Sequence, residues 1–236
     1  PMYLGDFIQK LEIIAPPVLA EEFDCNRIGL ILEGSPHVEM VACALDATPN
    51  VAEMAAELGV DALVVHHPAF WAPMHGICGR NADVARPLVA NNINLYAMHT
   101  NFDHADGGIN DALVDVLGLT NHVKGSLEIV GTMTKSFAEI AEILGCGLRV
   151  WGDVSEVSRL AVAGGSAFDW ELIEEATELG AEAYLASELK YNIARESPIP
   201  CIEATHYALE APGMRALAQR EGWIFIEDIP ETTIIP

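Results

Sequence analysis

Apolar residues occur along the chain in two alternating patterns. Short uninterrupted runs, of the length a buried strand needs, are separated by stretches in which apolar positions recur every three or four residues. Residues 40–45, 61–65 and 93–98 form runs of the first kind. Between them, Pro49–Leu58 and residues 83–91 have helical spacing, and Gly59 stands where a helix commonly ends. Gly107 and Gly108 open a further helix that runs to Leu117 and is closed by Gly118. The pattern then repeats: strands are predicted at 159–163, 182–186, 199–204 and 223–226, and helices at 169–179, Tyr191–Glu196 and 211–221. Between the two series, residues 136–144 read as helical and 148–151 as extended. Strands without polar alternation, joined through helices, indicate an α/β protein with largely parallel sheets.

The two series resemble each other in detail. Glu57-Leu58-Gly59-Val60-Asp61-Ala62 matches Glu178-Leu179-Gly180-Ala181-Glu182-Ala183, each at a helix-to-strand junction. Carried forward, that register sets His66-His67 opposite Ser187-Glu188. It also sets His99 and Asp103 opposite His206 and Glu210, each a histidine followed four residues later by a carboxylate. The expected organisation is therefore two α/β halves, 1–120 and 121–236, tightly associated and related by pseudo-symmetry. Ligands of open α/β sheets bind at the carboxyl ends of strands, where these polar residues fall.

Three segments carry the chemistry. His66-His67-Pro68 follows a buried run, and Pro68 stops the ladder, so the chain can bend and turn both imidazoles inward. The segment from His99 to Asp103 adds an imidazole and a carboxylate, and its continuation through Gly107-Gly108-Ile109-Asn110 allows a tight backbone approach to a ligand. If His206 opens a helix, it shares a face with Glu210. Three of these four histidines, with two carboxylates from separated segments, make a ligand set for two divalent ions that share an oxygen bridge. Mixed nitrogen and oxygen donors suit zinc, iron, manganese, cobalt or nickel without choosing among them. Such a pair of ions can acidify a bridging water and clamp a phosphate or carbonyl oxygen. His75, His104 and His122 are weaker ligand candidates in loop sequence. Phe70 and Trp71 either wall a pocket, form a contact between copies, or simply pack.

Composition narrows the partners. Acidic residues outnumber basic ones 35 to 12, for a formal charge of −23, and no Lys/Arg cluster is present, which argues against nucleic acid and against a ring threaded by DNA. The charge also suits a salt-rich cytoplasm. No apolar run spans a membrane and no leader pattern opens the chain, so a cytoplasmic location is expected. The five cysteines are scattered without CxxC spacing, as reduced core thiols would be.

Taken in order, three pieces of this sequence resemble the Nif-three-like family, whose members carry the label GTP cyclohydrolase I type 2 homologue. They are His66-His67-Pro68-Ala69-Phe70-Trp71, His99 through Asp103 to Gly107-Gly108-Ile109-Asn110, and His206-Tyr207 with Glu210. The resemblance implies two pseudo-symmetric α/β halves packed around a dimetal cleft. It implies two divalent ions held by His66, His67, Asp103, His206 and Glu210, with Glu210 bridging. His99 and Glu188 match positions lining that site and are the candidates for proton transfer. It further implies a toroidal homohexamer. The chain departs from the family's Trp-Asp-Asn-Xaa-Gly-Leu, having Phe23-Asp24-Cys25-Asn26-Arg27-Ile28-Gly29-Leu30. It also has Ala186-Ser187-Glu188 for Thr-Gly-Glu, and Thr205 where a glycine is usual. The expected function is metal-dependent hydrolysis of an unidentified small molecule, with GTP cyclohydrolase-type activity as one form of it. The alternative is a non-catalytic metal-loaded ring acting as an interaction scaffold or metal carrier.

Overall fold

The runs that read as buried strands are buried on both faces. In the computed structural model, which describes residues 1–236, every residue of β4 (Val41–Ala44), β5 (Ala62–Val65) and β6 (Asn94–Ala97) is buried. These strands pair in parallel in the order β4-β5-β6. α2 (Pro49–Leu58) connects the first two and α3 (Arg80–Ala90) the second two. The local sequence explains α2: the Thr48 side chain accepts the Val51 N–H, Pro49 occupies the first turn, and Gly59 ends the helix at φ 68°.

The chain divides into two units, residues 1–106 with 214–236, and residues 107–213. The sequence reading puts a single division at 120/121. The difference has a physical cause at the C-terminus: β13 (Ile224–Phe225) pairs in parallel with β4, so the last strand belongs to the sheet of the first unit. The sheet of that unit runs β13-β4-β5-β6-β2, with β2 (Gly29–Leu32) antiparallel to β6. β1 (Met2–Tyr3) and β3 (His37–Val38) form a separate small ladder. α1 (Leu4–Ile14) buries Phe7 and Leu11, and the short α4 (Thr100–His104) follows β6. The core of the unit is aliphatic, including Val51, Leu63, Val65, Leu88 and Leu95, with Phe70 packed against it.

The second unit has a six-stranded sheet in the order β7-β8-β10-β11-β12-β9. Its elements are α5 (Ile109–Leu117), β7 (Thr120–Lys124), β8 (Ile129–Thr132), α6 (Phe137–Leu144), β9 (Arg149–Trp151), β10 (Arg159–Val162), α7 (Trp170–Glu178), β11 (Ala183–Ala186), α8 (Tyr191–Glu196) and β12 (Cys201–Glu203). Here β10, β11 and β12 are parallel, connected through α7 and α8, while the outer pairings are antiparallel. Each unit therefore contains a β-α-β-α-β series, and the protein is mixed α/β with two sheet-plus-helix halves. α9 (His206–Glu221) begins in the second unit and ends in the first. It starts five residues ahead of the predicted helix and accommodates Pro212. No helix is long and apolar enough to cross a membrane.

Candidate metal centre

In the first unit, the end of β5 shows how adjacent histidines can face one way. The backbone N–H groups of His66 and His67 both donate to the Leu45 carbonyl, at 3.2 and 3.0 Å. That convergence breaks the strand alternation, which would otherwise send the two side chains to opposite faces. The ring centroids stand 5.0 Å apart, and the ring of His99, just after β6, lies 5.1 Å from His66 and 5.5 Å from His67. One nitrogen from each of the three imidazoles lies within 4.8 Å of the others. Asp103, within α4, brings Oδ1 to 3.2 Å from His66 Nε2.

Every one of these rings is held from behind. His66 Nδ1 donates to the Met98 carbonyl at 2.9 Å, His67 Nδ1 to Asp46 at 2.6 Å, and His99 Nδ1 to Asp24 at 3.0 Å. Carbonyl and carboxylate oxygens only accept, so Nδ1 carries the proton and Nε2 presents its lone pair. Asp24 is fully buried and also accepts from the Thr100 N–H at 3.0 Å and from the Thr100 hydroxyl. Burial alone would raise its pKa, but the hydrogen bonds from His99 and Thr100 outweigh it and hold the carboxyl below the ordinary range. Burial, then the neighbouring His66, lowers the pKa of His99 and favours its neutral, ligating form.

In the second unit, Glu188 follows β11 in the left-handed region at φ 52°, a conformation uncommon for a side-chain-bearing residue. Its carboxylate accepts from the hydroxyls of Ser166 at 2.5 Å and Ser187 at 2.8 Å. Both of its oxygens lie 3.0 Å from His206 Nδ1. His206 opens α9, and its Nε2 lies 2.8 Å from Oε2 of Glu210, one turn on. Burial opposes a charge on His206, but Glu210 and then Glu188 outweigh it and push the pKa up to about 9. Gly165, at φ 79°, makes room for the pair: a Cβ there would stand 2.5 Å from Glu210 Oε1 and 3.4 Å from His206 Nε2.

Within the first unit the fold thus gathers His66, His67, His99 and Asp103, and within the second His206, Glu210 and Glu188. The donor chemistry fits divalent ions: each of four imidazoles is fixed through Nδ1, the arrangement found behind metal-ligating histidines, with a carboxylate beside Nε2 of His66 and of His206. Glu188, expected to move protons, sits on the Nδ1 side of His206, where it orients the ring. Asp46 and Asp24 escaped the sequence reading. Asp46 had a usable signal, since it lies two residues beyond β4 as His67 lies two residues beyond β5. His104 pairs with Glu21 at 2.9 Å, and His75 and His122 are exposed, so none of the three joins a cluster. In the glycine motif, the Gly107 N–H is taken by Asp111 at 2.7 Å, and Asn110 accepts the Gly164 N–H at 2.8 Å.

The sequence profile of the Duf34/NIF3 (NGG1p interacting factor 3) family matches residues 2–221. Among curated relatives, the "GTP cyclohydrolase 1 type 2 homolog" of Halobacterium salinarum is 33% identical, over 80% of this chain and 83% of the relative. That of Methanocaldococcus jannaschii is 30% identical, over 91% and 92%. A solved structure described as "protein ybgI, unknown function" superposes with a TM-score of 0.85 at 27% identity, covering 98% of this chain and 99% of the other.

Proposed function

The chain belongs to the Duf34/NIF3 family, and from that premise we propose a metal-dependent hydrolase that holds two divalent ions with His66, His67, Asp103, His206 and Glu210. The observation that carries the reading is the common posture of the imidazoles. His66, His67, His99 and His206 each have an acceptor fixing Nδ1. Imidazoles arranged only for packing need no such uniform tether. When bound, the ions supply positive charge that polarises a phosphoryl or carbonyl oxygen and acidifies water. The chain's own residues supply the rest: Asp46, Asp24 and Glu188 orient rings, and His99, neutral at its depressed pKa, is available to accept a proton. The relatives' cyclohydrolase label contributes only the class of chemistry, hydrolysis, because fold-level kinship does not fix a substrate.

Metal content by plasma mass spectrometry tests the proposal directly. Gently purified, chelator-free protein is expected to carry about two ions per chain, as a two-metal hydrolytic site requires. The His67→Ala and Glu210→Ala variants should lose them. Absence of stoichiometric metal from the wild-type chain overturns the proposal. Glu188→Gln, which leaves all five proposed ligands in place but removes the charge behind His206, should keep assembly, weaken metal affinity by about 10- to 100-fold, and slow turnover in a hydrolase screen run at saturating metal. Unchanged turnover removes Glu188 from the catalytic account, and a metal-loaded protein inert across the screen supports the scaffold or carrier role instead.

A further inference from the structure

At the rim of the histidine cluster in the first unit stand three side chains that metal binding does not use: Phe23, Arg27 and Trp71. Arg27 holds the other two in place. Its Nε donates to the Trp71 carbonyl at 2.9 Å, another guanidinium nitrogen donates to the Phe23 carbonyl, and its Cζ lies 3.9 Å from the Trp71 ring centroid. One cation therefore ties together two segments far apart in sequence and stacks on one of the rings. The two rings are 6.2 Å apart, and both meet His99, Phe23 edge-on at 6.3 Å and Trp71 nearly perpendicular at 6.1 Å. Yet Phe23 remains 53% exposed and Trp71 49% exposed. Phe70, next to Trp71, packs against the core instead, so the exposure is particular to Trp71 and not shared along the segment. Two large aromatic surfaces held open to solvent beside a cluster of ligating imidazoles have the composition of a binding wall, with few polar groups and ample ring area.

Arg27 adds the second half of the argument. A guanidinium has five N–H donors, the two carbonyl contacts engage two of them, and Arg27 is only partly buried, so the remaining donors are accessible to a ligand. In a chain with 12 basic residues against 35 acidic ones, the surrounding field repels anions, so a fixed cation at this rim is what an anionic ligand would need.

We propose that Phe23, Trp71 and Arg27 form a substrate subsite for a flat heteroaromatic ring that carries an anionic group. The ring lies against the two aromatic side chains and the anion takes the outward N–H groups of Arg27. The inference rests on the hydrolase reading only in placing the reacting bond next to His99; the binding itself stands apart from it.

The test is calorimetric titration of the full chain, as purified and with its metal content measured on the same samples, using GMP, guanosine and ribose 5-phosphate as probes. GMP is expected to bind at least about tenfold tighter than either fragment, the usual scale of a stacked base or a charge-assisted contact. Arg27→Gln should reduce GMP to the affinity of guanosine or below, because it removes both the anion's partner and the tie between the two rings. Phe23→Leu, which keeps apolar volume but removes the ring, should reduce it toward ribose 5-phosphate, with metal content and thermal midpoint unchanged. Equal affinity for GMP and ribose 5-phosphate, or variants that bind GMP as the wild type does, overturns the subsite. So does a change in oligomer mass on Phe23→Leu without a change in GMP affinity, which makes the surface a protein contact. Ring-dependent GMP binding by protein that holds no metal sustains the subsite while the hydrolase reading falls.

Discussion

Asp46 stands behind His67 and Asp24 behind His99, and a carboxylate in that position fixes both the ring orientation and the tautomer. Asp46→Asn keeps the shape but removes the charge. It is expected to weaken metal affinity by about 10- to 100-fold, read by competition against a chelator of known affinity, with little change in the folded state. Asp24 left no signal in the sequence, because a carboxylate that acts through another side chain from a distant loop has no fixed spacing to its partner, whereas Asp46 occupies the position after β4 that His67 occupies after β5. The histidines were legible because each falls where an apolar run stops. A second pair of groups makes a pH prediction. Glu128 is fully buried, and the Oε1 atoms of Glu128 and Glu175 both hang over Gly125, where a Cβ would collide with them. Burial, and then the bond to Glu175, raise the Glu128 pKa to about 7, while the bond from Glu128 and then the Ser126 N–H lower that of Glu175. Glu128 thus holds the proton and donates it. Since its folded pKa lies above the unfolded value, its contribution is complete below the unfolded pKa and is lost as pH rises through about 7. Glu175 works in the opposite sense at lower pH, its contribution lost as pH falls through its depressed value. Urea denaturation between pH 5 and 8 should show wild-type stability declining by about 2 kcal/mol more than that of Glu128→Gln. Parallel profiles would show that the pair shares no proton.

Among the elements, α6 has the most explicit start signal. Ser136 accepts the Glu139 N–H at 3.1 Å, and Glu139 accepts the Ser136 N–H at 3.1 Å, a reciprocal capping box. Ser136→Ala should destabilise the protein by about 1 kcal/mol in urea denaturation, with no loss of bound metal. A larger loss would mean that the cap also supports structure beyond the helix. Elements announced in this way, by caps, terminal glycines and unbroken apolar runs, match their expected positions closely: α2 and α8 have the predicted bounds. Several of those that escaped lack a burial rhythm, and others, such as β8 and α4, are largely buried but too short to stand out. All five residues of β7 are exposed, so no alternation marks it, and β2 is half-buried throughout. α1 buries only Phe7 and Leu11, four apart, which is too little to stand out as a stripe. The apolar pattern alone places the start of α9 at Ala211, with His206 as an earlier start left open. The structure carries the helix through the proline, which sets His206 and Glu210 one turn apart.

For the molecule as a whole, a formal charge of −23 implies self-repulsion that salt relieves. The thermal midpoint should therefore rise as sodium chloride is increased from low ionic strength. A flat or falling dependence would mean that the acidic residues are already balanced locally. The α/β class and the internal repeat were both legible, since each unit carries its own β-α-β-α-β series. The path of the chain between units was not, because no composition change marks 106/107 or 213/214, and strand pairing alone assigns β13 to β4. That pairing has a consequence for how the protein is made. Synthesis runs from N- to C-terminus, so all of residues 107–213 leave the ribosome before Ile224 and Phe225 can take their place beside β4. Until then the first unit is one strand short, with an apolar sheet edge uncovered, while the second unit already has every strand it needs. The middle of the chain is therefore positioned to mature first, and the nascent first unit is the stage at which a chaperone, or a misplaced strand from another chain, would find an open edge.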